Sequence, residues 1–538
     1  MTANTAAIPS SAAPRAFALR AAAWFVVAVI AAPIVAVFAA AVVPGLVGEH
    51  FASDAASRQG GLSAAALWHY ASETLLYAGG TTLLAIIIAL PAAWLTVMRS
   101  FPGAKLLSWA LFLPFALPPY LSGYVYADFF DKMAVNVRGM PMAILITALA
   151  LYPYIYLFAR TAMRQQPCHI QSAARLMGHS QWSVFWRISV PLARPAMAVG
   201  AALVLMESLN DIAVAEHYGI NPFGAAVYDL WLNRGDLRSS CRLAVLTMLV
   251  VSCLVVLERR GYAMQKRHLR HCDRCFECER TPPLGGLWRI VVPLLLCAPL
   301  FAGFVFPLMR LVQLSAAAPV ALWHSAFADG AFGSVVLSLL LIVVLLCAAA
   351  VFVWDKRVNG ASGVFALFAK LAQSGYALPG AILAQGFFVL AAVFSGAGVV
   401  AYGGLFLLVA ACAARFFLIP SGALEAGLDK ISPQLDAAAR LMPPSRTPLF
   451  VRLHLPLLRP AAAMAAVVLL LESFKELPMT LILRPFGFDT LATVVYQYAS
   501  DEAMVYAAPA AVLMTLAGSA LVSAIFLMEG RDMRQRAR

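Results

Sequence analysis

The sequence predicts an all-α polytopic membrane protein built as two parallel six-helix repeats, and three features carry that prediction. Of its 538 residues, 62% are hydrophobic and only 12% charged. The apolar residues fall in twelve long runs, and one polar segment recurs later in the chain without a gap. A soluble domain needs nearer a quarter charged residues to cover its surface, so these proportions exclude one.

The runs lie near residues 21–46, 75–97, 105–127, 140–163, 192–214 and 240–257, then near 289–312, 334–354, 374–397, 399–419, 457–483 and 504–528. Each is long enough to cross ~30 Å of hydrocarbon. Backbone groups in lipid must be satisfied within their own segment or in a closed barrel, and barrel strands alternate in polarity. These runs do not alternate, so they read as helices. The first follows Arg15 and Arg20 and exceeds the apolar core of a cleaved signal peptide, so it reads as a membrane helix.

The charges sum to +13, from 39 Lys and Arg against 26 Asp and Glu. They sit between the apolar runs in alternate loops, which argues against a nucleic-acid partner and for the positive-inside pattern. Arg99, Lys105, Arg160, Arg164, Arg187, Arg194, Lys356, Arg357, Arg452 and Arg459 fall in the segments that a cytoplasmic N-terminus places inside. The opposite loops carry fewer bases mixed with acids such as Asp54, Asp229, Asp489 and Glu502. Both termini are therefore expected in the cytoplasm. The basic stretch 258–288 separates a first half, 1–257, from a second, 289–538. Most of the nine cysteines are scattered in apolar runs and read as buried thiols.

Residues 172–196, SAARLMGHSQWSVFWRISVPLARPA, align without a gap on residues 437–461, AAARLMPPSRTPLFVRLHLPLLRPA, with thirteen identities in twenty-five positions. Each copy falls between the fourth and fifth runs of its half. Two equal loops on one membrane face imply a partner with two equal surfaces. Each begins with small residues and Arg, suited to a helix that docks closely in a groove, and breaks at Gly178 or at Pro443 and Pro444.

The spacing resembles the EAA loop of ABC importer permeases: Glu-Ala-Ala, three residues, Gly, nine residues, Ile, one residue, Leu-Pro. Ser172, Ala173, Ala174, Gly178, Ile188, Val190 and Pro191 fill the first copy, with Arg175 inside it; Ala437, Ala438, Ala439, Pro443, Leu453, Leu455 and Pro456 fill the second, with Arg440 inside it. The Glu is absent from both, Asp436 lies one residue before the second, and Pro443 replaces the Gly. The resemblance implies a type I, MetI-like permease fold whose loops dock on two copies of a cytoplasmic ABC ATPase subunit, with a periplasmic substrate-binding protein on the outer face. It implies a bacterial inner-membrane location, ATP bound only by the partner subunits, and no intrinsic cofactor. The chain has no Gly-x-x-x-x-Gly-Lys-Ser/Thr loop of its own.

Residues 475–502, KELPMTLILRPFGFDTLATVVYQYASDE, together with LYPYIYLFAR at 151–160 and ESLNDIAVAEHYG at 207–219, resemble fused iron(III) ABC transporter permeases from about residue 108 to 528. That likeness implies iron(III) as cargo, with thiamine, polyamine or sulfate as the alternatives within the same class. An ion-gradient-driven secondary transporter would explain the twelve runs but not the duplicated loop. No His-Glu-x-x-His or convincing Ser/His or Asp/Asp arrangement points to an enzyme.

Ionisable groups at membrane depth cost ~2.5–3.5 kcal/mol on insertion scales and commonly face a pathway or a partner. Glu207 and Asp211 in the fifth run, and Glu472, Lys475 and Glu476 in the eleventh, are thus expected to line the translocation path, or else to pair with one another. Paired carboxylates suit a hard cation with oxygen ligands. Pro118, Pro119 and Tyr120, and Pro379 and Gly380, should interrupt helices at corresponding places. In the linker, His268, His271, Cys272, Cys275 and Cys278 have metal-ligand spacing, set against a reducing cytosol that keeps such thiols free.

Overall fold

The computed structural model describes residues 13–43, 62–164, 166, 173–174, 176–269, 284–317, 319, 325–360, 363–396, 404–432, 434–436, 438 and 449–536. Among these residues the chain is helical throughout. The first half runs α1 (Ala13–Val42), α2 (Ala64–Met98), α3 (Ala104–Ala110), α4 (Pro119–Asp131), α5 (Met140–Arg164), α6 (Val190–Asn210), α7 (Ile212–Tyr218), α8 (Phe223–Tyr228) and α9 (Leu237–Leu269). The second runs α10 (Trp288–Leu300), α11 (Phe306–Ala317), α12 (Ser325–Asn359), α13 (Gly363–Gln373), α14 (Gly380–Gly396), α15 (Leu405–Phe416), α16 (Leu418–Leu428), α17 (Leu455–Lys475), α18 (Pro478–Leu483), α19 (Leu491–Ser500) and α20 (Met504–Arg536).

Nine helices among the described residues are long and apolar enough to span a membrane, and two bent pairs bring the number to as many as eleven. The shorter apolar helix Gly380–Phe394 supplies the remaining run. Every apolar run of the sequence therefore has a helical counterpart, but several are not single straight helices. One bends by 86° between the segments Ala104–Ala116 and Pro119–Asp131. Pro118 and Pro119 lack amide donors and cannot continue the preceding helix, so the chain passes through a tight turn at Leu113–Ala116 and restarts with Pro119 at its first position. Pro379 and Gly380 have the same effect in the second half, after a turn at Gly375–Ala377. The pair α15–α16 bends by 46°.

The repeat persists at the level of backbone. Helices α2 and α12 both have 35 residues and start at 64 and 325; α6 and α17 both have 21 and start at 190 and 455. The spacing grows by four residues between these pairs. Helix α14 absorbs that difference, having 17 residues where α4 has 13.

The chain packs as two compact units, Met1–Ala39 with Ser334–Gly487, and Ala40–Gly333 with Phe488–Arg538. The helices that open the halves are thus exchanged. Most of α1 belongs with the second half, while α10 and α11 belong with the first. In the former unit, Arg20 Nη1 donates to Asp355 Oδ2 at 2.6 Å and to the Gly360 carbonyl at 2.9 Å, and its guanidinium lies 3.9 Å from the Phe365 ring centroid. Asp355 is fully buried, and Asn359 Nδ2 donates to its other oxygen at 2.7 Å. A Cβ on Gly386 would strike the Pro33 carbonyl, so α14 approaches α1 backbone to backbone.

In the latter unit α2 and α5 pack tightly, joined by a 2.9 Å hydrogen bond between Tyr77 and Thr147 hydroxyls. Gly200 brings α6 against Ile155, where a Cβ would meet backbone at 2.8 Å. Tyr126 on α4 donates to the Ala302 carbonyl at 2.7 Å, tying α4 to the segment between α10 and α11. These close approaches through small residues are the packing lipid demands, because apolar burial alone does not favour one helix neighbour over another.

Candidate coupling loops and intramembrane charges

The duplicated segment begins in the first half with Ala173 and Ala174 in helical conformation, Ala174 buried and Ala173 exposed. The amides of Met177 and His179 donate to the carbonyls of Ala173 and Ala174. Gly178, at φ +82°, then turns the chain in the left-handed region that favours glycine. Ser180 caps the next turn by accepting from the Ser183 amide at 3.2 Å. Leu176, Met177, Trp182 and Trp186 are exposed around this turn. In the second copy Ala438 is helical and exposed like its counterpart Ala173. Ser172, Arg175, Ala437, Ala439, Arg440 and Pro443 lie outside the described residues.

Both copies return to the membrane through the same device. A single π-helical turn, Phe185–Ser189 in one and Phe450–His454 in the other, leads directly into α6 and α17. Its closing bonds run from Val190 to Phe185 and from Leu455 to Phe450. The physical cause is one residue further on. Pro191 and Pro456 have no amide to give, and their rings would strike the carbonyl four residues back; widening the preceding turn makes room.

The charges at depth are placed by different elements in different units. Glu207, half-buried, lies in the last turn of α6. Asp211 follows as the N-cap of α7, where Oδ1 accepts from the Val214 amide at 3.1 Å. Its Oδ2 is buried and has no hydrogen-bond partner among the described residues. Glu472 is buried on α17 and pairs with Lys475 Nζ at 3.1 Å, three residues along the same helix. Glu476 turns away from that pair: Oε2 accepts from Arg415 Nη1 at 2.8 Å and Oε1 accepts from the Met479 amide at 2.9 Å. Of the two pairings open to Lys475, it adopts the one with Glu472.

Arg415 is the functional-site candidate that sequence reading missed. It ends α15 inside an apolar run, and a lone cation there was the available signal. Gly380 completes the setting, because a Cβ on it would stand 3.1 Å from both Arg415 Nη1 and Met479 Cγ.

The linker residues His271, Cys272, Cys275 and Cys278 lie outside the described residues. Among the described residues no three His, Cys, Asp or Glu side chains are grouped to hold a metal ion.

Residues 81–267 match the family model described as binding-protein-dependent transport system inner membrane component. The chain is 30% identical over 190 residues to the molybdenum transport system permease protein ModB of Escherichia coli (strain K12), covering 31% of this chain and 82% of that protein. It is 21% identical over 454 residues to the Fe(3+)-transport system permease protein FbpB 2 of Haemophilus influenzae, covering 83% of this chain and 87% of that protein. A probable sulfate transport system permease protein, cysT of Chlorokybus atmophyticus, is 26% identical over 26% of this chain and 52% of its own length. With its all-helical polytopic fold and internal repeat, the chain belongs to the binding-protein-dependent transport system inner membrane components, as an ABC permease with two such units fused in one polypeptide.

Proposed function

We propose that this permease carries iron(III) across the inner membrane, receives it from a periplasmic binding protein, and is driven by two ATPase subunits that grip residues 172–191 and 437–456 from the cytoplasm. The observation that carries the cargo is the extent of the likeness to the Fe(3+)-transport permease, which runs over 83% of the chain and so over both halves. The segment KELPMTLILRPF and the carboxylates Glu207, Asp211 and Glu472 support it, since a hard cation takes oxygen ligands. Binding and hydrolysis of ATP in the subunits would draw the two loops together and swing the halves between inward-open and outward-open states.

An oxyanion cargo is the second reading, favoured by the 30% identity to a molybdenum permease. Uptake of radioactive iron and of molybdate into vesicles holding the assembled transporter separates the two; saturable ATP-dependent iron uptake with no molybdate uptake is expected, and the reverse overturns the iron reading. The grip is tested by co-purification of the ATPase subunits. Ala173→Asp with Ala438→Asp, both exposed and at matched positions, should release them, whereas gradient-driven uptake by the permease alone would reject ATP coupling.

A further inference from the structure

Resting on the reading that residues 437–456 grip an ATPase subunit, we propose that Arg357, Asp436 and His454 are positioning residues that hold the second coupling loop at both of its ends. Asp436 stands immediately before the duplicated segment, and His454 is the last residue of the π turn that returns it to the membrane. Both converge on the last turn of α12. Arg357 Nε donates to Asp436 Oδ2 at 3.0 Å, and Arg357 Nη2 donates to the Ile431 carbonyl at 3.0 Å. His454 Nε2 lies 3.0 Å from Asp436 Oδ1, in contact but too poorly angled for a hydrogen bond. His454 is fully buried and packs on Trp354, with ring centroids 5.0 Å apart.

Three physical points favour a positioning role over an incidental surface pair. One oxygen of the carboxylate accepts from Arg357 inside the unit and the other lies against buried His454, so the acid nearest the place of the family's missing Glu faces inward and not toward a partner. The arginine side chain is 21% exposed and the aspartate 15%, so solvent screens the pair far less than it screens a surface ion pair. And the contact joins segments 79 residues apart, which fixes the entry of the loop relative to a membrane helix.

The first copy is held differently. Ser189 occupies the position matching His454, and its carbonyl accepts from Gln166 Nε2 at 2.9 Å. Thr96, which matches Arg357 across the repeat of α2 and α12, bonds Ala92 and Tyr156 instead. Among the described residues the second loop is thus tied by a charge-assisted contact, and such contacts are roughly twice as strong as neutral ones.

Asp436→Asn in the full-length permease is the primary variant. Hydrogen exchange of peptides covering 431–456 should quicken about tenfold, as expected when a local opening loses one charged contact, while peptides within α17 beyond Ala465 stay unchanged. In the assembled transporter the same variant should still bind ATPase subunits but move at least about fivefold less substrate per ATP, with Asp436→Glu recovering much of the loss. Should Asp436→Asn fail to fold, His454→Gln makes the same test. Unchanged exchange overturns the proposal, as does an Arg357→Gln, Asp436→Asn double variant whose effects simply add. If wild-type permease binds no ATPase subunit, the coupling reading fails by itself and the exchange result still judges the clamp.

Discussion

Arg415 donates to Glu476 across 61 residues of chain, with only 4% and 3% of the two side chains reached by solvent. The pair fixes the end of α15 against the break between α17 and α18, where Glu476 also receives the Met479 amide. A charge so buried depends on its partner. Arg415→Met should cost about 3–5 kcal/mol by stranding the carboxylate, whereas Arg415→Met with Glu476→Leu should restore much of it. Thermal unfolding of the purified permease in detergent measures both; equal losses in the single and double variants would contradict the pairing.

Gly380→Ala tests the same corner from the opposite side. The added methyl would press on Arg415 and Met479 at 3.1 Å, and overpacking of this kind costs about 1–3 kcal/mol. Gly422→Ala, with nothing within 4 Å of its Cβ, should be neutral or stabilising by a few tenths to ~1 kcal/mol. The two melting temperatures should therefore move apart.

Gly178→Ala meets open space but must hold φ +82°. The expected strain is roughly 1–2 kcal/mol, local to the first loop. ATPase subunits should bind the variant more weakly while its melting temperature barely changes, and Gly178→Asn should be milder because Asn tolerates this conformation. Equal ATPase affinity in both variants and wild type would show that the turn is not part of the grip.

Glu207→Gln with Glu472→Gln addresses the path. If these carboxylates line it, uptake should fall by about tenfold or more, a loss of ~1.4 kcal/mol or more in barrier terms, with the assembled complex still purified intact. Normal uptake would assign Glu472 to its pairing with Lys475 alone.

Much of the architecture was legible in the sequence, for a physical reason: hydrocarbon demands long apolar runs, and prolines break them where an amide is missing. Thus the twelve runs and the break at Pro118 and Pro119 have structural counterparts. Tertiary choices left no such trace. An apolar helix does not say which neighbour it will choose, so the exchange of the opening helices could not be read, and Arg20 and Asp355 stand 335 residues apart. Arg415 carried no mark in the sequence of its partner, Glu476, 61 residues on. The π turns are a backbone answer to Pro191 and Pro456 that no residue pattern announces by itself.

The distance between Arg20 and Asp355 also sets a clock for biosynthesis. A ribosome adding about 5–20 residues per second needs roughly 17–67 s to make the intervening 335 residues. Throughout that interval Arg20 lacks the carboxylate with which it pairs in the folded unit. Assembly of this unit therefore cannot finish before Asp355 has been made.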